Sequence, residues 1–108
     1  MMITKKFSVS SQFDFSKLID DLRILGGSAG TTLEEGDHYK LIVAEKFFYR
    51  SCSAASVSLL FMKETDTYEV TCIVSGAGTG VLNMDYGASD KYMKQVYEIL
   101  VKQGALIK

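Results

Sequence analysis

Three groups of residues in this sequence carry chemistry: a glycine cluster, one carboxylate on an apolar strand, and a cysteine and a histidine near turns. Gly76-Ala77-Gly78-Thr79-Gly80 lies between a strand pattern and a helix pattern, where glycine loops cradle phosphate on backbone N–H groups. The spacing departs from both known forms. A dinucleotide fingerprint starting at Gly76 needs glycine at 81, where Val81 stands, and no glycine is followed at the P-loop distance by Gly-Lys-Ser or Gly-Lys-Thr. Asp85 and Asp90 near the helix start would also repel an anion. The segment is therefore expected to be a connection by which the chain leaves a sheet and enters a helix.

Glu45 is the residue whose type disagrees with its expected position. In the run Tyr39 to Tyr49 the odd positions are Tyr39, Leu41, Val43, Glu45, Phe47 and Tyr49, which read as the core face of a strand. With the next turn at Ser51 to Ala54, Glu45 falls roughly opposite Leu59, and Leu59 opposite Cys72. Enclosed there, the carboxyl group would hold its proton above the usual range, as groups at functional sites do. A bulge turning Glu45 outward, a partner in Lys5, or an inner face open to water would each remove that effect. Glu45, Tyr39, Tyr49 and Cys72 are the candidate ligand-binding set.

Cys52 and His38 do not make a nucleophile and base, because they stand at opposite ends of one strand, more than about 30 Å apart. His38 is the single histidine and there is no C-x-x-C pair, so no metal site and no cofactor is expected. Both cysteines, Cys52 and Cys72, are expected as reduced thiols.

The elements that must position these residues follow from periodicity. Ile3, Lys5, Phe7 and Val9 alternate with polar residues as in a half-buried strand. Ser11 followed by Asp14 has the form of a helix start, and Phe15, Leu18, Ile19, Leu22 and Leu25 give one apolar stripe, so a first helix is expected from Gln12 to Leu25, closed by Gly26 and Gly27. Four strands follow: Thr31 to Glu35, Tyr39 to Tyr49, one carrying Ala55, Val57, Leu59 and Phe61 inward, and one carrying Tyr68, Val70, Cys72 and Val74 inward. A second helix begins near Ser89 with Met93, Val96 and Leu100 on its stripe beside Tyr92, Tyr97 and Val101. The order β-α-β-β-β-β-α predicts an α+β domain over residues 1–108, a single antiparallel sheet of about five strands packed with two helices. A curved antiparallel sheet gripping a C-terminal helix resembles the helix-grip ligand-binding domains, in fold alone.

The other strand faces, with Ile42, Ala44, Phe48, Leu60, Met62 and Ile73, are too apolar to be fully solvated. Either the helices lie on both faces, or they share one and the other meets a second copy or a partner. A homodimer is the expectation. The 108 residues, 47% apolar and 23% charged, suit one globular core without staples. Twelve Lys and Arg balance thirteen Asp and Glu without blocks, so no nucleic-acid partner is expected. No run is long enough to span a membrane and Met1 to Val9 alternates rather than forming a signal, so no membrane and a cytoplasmic location are expected. The best functional expectation is a small non-enzymatic domain binding a small apolar or amphipathic ligand, or a protein partner, through its sheet. The alternative is a small enzyme with a site around Glu45, tyrosines and the Gly76 to Gly80 loop.

Overall fold

The computed structural model describes residues 2–27, 30–48, 53–77 and 88–107. Alternating residues make strand β1 (Met2–Ser10), and helix α1 (Phe15–Gly26) follows, then β2 (Thr31–Glu35), β3 (Tyr39–Phe48), β4 (Ser53–Lys63), β5 (Thr67–Ala77), α2 (Ala88–Lys102) and β6 (Leu106–Ile107). The strands form one antiparallel sheet in the order β2-β3-β4-β5-β1-β6, which is the expected α+β arrangement with a two-residue sixth strand added. That strand is too short to show a period of two, so its sequence carries no signal.

Helix α1 starts later than the Ser11 signal implies. Asp14 is its N-cap, its carboxylate accepting from the Lys17 N–H at 3.1 Å, and the stripe then begins at Phe15. The helix ends against β3: a Cβ on Gly26 would lie 2.5 Å from the Glu45 carbonyl oxygen, and Gly27 takes φ +66° as its C-cap.

Both helices pack on one face of the sheet, α1 over β2 and β3, α2 over β4, β5 and β1. Between them lies one core, with Leu18 and Leu22 from α1, Tyr92, Met93, Val96 and Leu100 from α2, and Phe7, Val57, Leu59, Phe61, Val70, Cys72 and Val74 from the strands. Tyr92, Val96 and Leu100, each 0% exposed, fill the space between α2 and the sheet that a helix-grip domain would give to a ligand. Val101, by contrast, is 41% exposed and lies off the stripe.

The parity of β3 is opposite to the sequence expectation. Ile42 and Ala44 are buried in the core, whereas Leu41, Val43 and Phe47 lie on the outer face with Glu45. The register explains it, because Glu45 pairs with Ser56 rather than Leu59, and that displacement by an odd number of residues turns every side chain over. Both parities of β3 are apolar, so apolar content cannot choose between them. The charged residues do. Glu45 is short and would be trapped inside, while the long stems of Lys40 and Lys46 carry their ammonium groups to the rim of the inner face. Lys40 pairs with Glu35 and lies 4.9 Å over the Phe15 ring. Lys46 donates to Gln95 Oε1 at 3.1 Å and lies 5.0 Å over the Phe48 ring.

Candidate functional site: the outer sheet face

With both helices on the inner face, no helix among the described residues lies on the other. Its side chains follow from alternation on each strand: Tyr39, Leu41, Val43 and Glu45 on β3, Ser56, Ser58, Leu60 and Met62 on β4, and Glu69, Thr71, Ile73 and Ser75 on β5. Reading across the register, one row runs Tyr39, Met62, Glu69, Ser8; the next Glu34, Leu41, Leu60, Thr71, Lys6; the next Thr32, Val43, Ser58, Ile73, Thr4. The apolar residues thus gather on β3 and β4, with Ile73 beside them, and threonines, serines and single charges form the margin. Tyr39 and Met62 are 41% and 44% exposed, while Leu41, Val43, Leu60 and Ile73 are half-buried by one another. A broad, shallow apolar surface with a polar rim is suited to another surface rather than to a reacting small molecule.

At one end the face becomes polar. Glu45, Ser56 and Ser75 form a single row beside a cleft of about 220 Å³ that Ala54 and Ala55 complete. Glu45 is exposed and lies away from the core, so the enclosure proposed for it is absent. Lys5 does not pair with it either: Lys5 is on the inner parity of β1, its Nζ 4.8 Å over the Tyr97 ring, beside a cleft of about 330 Å³ between β1 and α2. Carboxylate and hydroxyls together can orient a polar group, and they include no general base with an adjacent nucleophile.

The four candidate ligand-binding residues do not converge. Tyr39 and Glu45 share the outer face, but six residues of strand hold them about 20 Å apart. Cys72 is on the opposite face, fully buried, its Sγ 3.9 Å from Met93 Sδ, and burial pushes its thiol up to about 12 with Lys5 opposing only in part. Tyr49 lies outside the described residues, as do Cys52 and the larger part of the Gly76 to Gly80 segment, of which Gly76 and Ala77 end β5. His38 is exposed in the turn before β3. Among the described residues no three His, Cys, Asp or Glu side chains are grouped to hold a metal.

Leu41 and Val43, expected in the core, lie on the outer face, and the sequence signal for this is the pair of lysines at 40 and 46. Lys46 is held off water by burial and faces Lys91, both of which lower its proton affinity, and Lys91 shares the Phe48 ring at 5.8 Å. Tyr92 is also buried, its hydroxyl without a hydrogen-bond partner among the described residues, and its phenol is pushed up first by desolvation and then by Cys72 and Glu45. No helix among the described residues is long and apolar enough to cross a membrane. No curated protein matches the sequence. Residues 3–104, from the start of β1 to the glycine after α2, match the model of a family of unknown function, DUF6054, and the chain belongs to that family.

Proposed function

We propose that this is a non-enzymatic cytoplasmic domain that docks a protein partner on the outer face of its sheet. The observation that carries this reading is the apolar surface of Leu41, Val43, Leu60, Met62 and Ile73, which the helices leave uncovered. An antiparallel sheet that needs only one buried face normally alternates to a polar second face, and here β3 is apolar on both. A protein fits this surface better than a small ligand, because its apolar residues spread over three neighbouring strands. The free buried thiol of Cys72 supports a reducing location.

A photo-crosslinking residue placed at Met62, with one at Ile24 on α1 as control, tests the proposal in cells. Both sites are exposed, at 44% and 80%, so neither replacement disturbs the core. Protein adducts from position 62 and none from position 24 are expected. Adducts to lipid or small molecules alone, or none, would remove the docking surface.

A further inference from the structure

The partner that the outer face fits is a second copy of this chain. Resting on the docking surface proposed above, we infer that two copies pack outer face to outer face about a two-fold axis that lies between the sheets along β4. In the order β2-β3-β4-β5-β1, with the two-residue β6 outside it, β4 is the central strand. Rotation about an axis along β4 keeps every cross-strand row in place while exchanging β3 with β5 and β2 with β1. Leu60 and Met62 then meet their own counterparts at the axis and Val43 on β3 meets Ile73 on β5, while Leu41 meets Thr71 and Tyr39 meets Glu69 toward the end of the patch.

The charges choose this axis. Glu34 on β2 and Lys6 on β1 stand at the two margins of the same row, the one containing Leu41, Leu60 and Thr71, and both are exposed. The rotation sets each Glu34 over Lys6 of the other copy, twice per dimer. A two-fold axis across the strands through this row would instead set Glu34 against Glu34 and Lys6 against Lys6, which repel. Sheets stacked face to face lie about 10 Å apart, a gap that a glutamate and a lysine can span. Four strands of about eight residues and the five residues of β2, at about 4.8 Å between strands and about 3.3 Å per residue, give roughly 600 Å² per copy, or roughly 1,200 Å² in all, the lower limit of stable interfaces.

Charge exchange tests this geometry, because within one copy four strand spacings separate Glu34 from Lys6 by about 19 Å, too far to pair. The full chain is followed by sedimentation equilibrium at micromolar concentrations, with circular dichroism showing that each surface variant is folded. The wild type should give twice 11.9 kDa. Glu34→Lys and Lys6→Glu should each weaken the dimer about tenfold or more, and the double variant should restore it to about the wild-type value. A monomeric wild type overturns the inference, as do single variants that associate normally or a double variant that stays weak. A monomer that still yields protein adducts at position 62 leaves the docking surface standing with another partner, whereas a monomer without adducts removes both.

Discussion

Cys72 shows how position overrides residue type. A cysteine in the middle of a strand is a nucleophile on paper, but the inner parity of β5 seals it beneath α2 against Met93. With its thiol pushed up from 9.0 to about 12, the reactive thiolate at pH 8 is roughly 1,000-fold scarcer than in an exposed cysteine. In a Cys52→Ser background the protein should therefore resist a thiol reagent until it is denatured, and rapid labelling of native protein would place Cys72 at the surface. The same burial has a pH signature. The folded chain keeps the proton that the unfolded chain releases from about pH 9 upward, so stability should fall between pH 9 and 12. Cys72→Ala should flatten part of that slope in denaturant titrations across this window. Glu45 teaches the complementary lesson. Its disagreement with its neighbours was legible in the sequence, but the resolution was not, since an odd residue on an apolar face can mean a buried site or a strand with its other side inward. Lys46 was the better clue, because a long stem can leave the core and a glutamate cannot.

At the scale of elements, strand and helix identities were readable and the register of one hairpin was not. β1, β4 and β5 have one apolar and one polar parity over most of their length, so their inward faces are unambiguous. β3 has two apolar parities, and its orientation is set by the pairing of Glu45 with Ser56, which depends on the geometry of the turn. A pair of truncations checks that orientation. At protein concentrations low enough to keep the chain single, Ile42→Ala should cost about 2 to 5 kcal/mol by opening a cavity, and Leu41→Ala, one residue along, less than half as much. Equal losses in denaturant midpoint under that condition would mean that β3 buries both sides within one chain. The junction of α1 with β3 gives a second check. Alanine is the better helix former by about 1 kcal/mol, yet a Cβ at position 26 would meet the Glu45 carbonyl oxygen at 2.5 Å, and backbone cannot yield as a side chain can. Overpacking of this kind costs about 1 to 3 kcal/mol, so Gly26→Ala should destabilise despite its favourable propensity. A gain in melting temperature would mean that α1 stands farther from β3.

For the whole molecule, the decisive fact is that both described helices share one face of a sheet in which β3, with Leu60, Met62 and Ile73 beside it, is apolar on the other face too. The sequence announced the surplus apolar surface, since Leu60, Met62 and Ile73 fall outside any single core, but it could not say where the helices go. If the surplus is covered by a second copy, folding and association are linked, and stability depends on protein concentration. Each tenfold rise in concentration adds about 1.4 kcal/mol per dimer, and for two chains of 108 residues that shifts the melting temperature by roughly 3 °C. A monomer shows no shift. Leu60 is the position to change, because at the axis it faces itself and is only half-buried in the single chain. Leu60→Lys sets two ammonium groups together in the centre of the interface, where neither can be solvated, and in the single chain merely exposes a lysine on a strand surface. The variant should melt at one temperature whatever its concentration, close to the dilute limit of the wild type. A variant that keeps the wild-type concentration dependence would place the association elsewhere, and one that fails to fold at any concentration would show that β4 has no free face to offer.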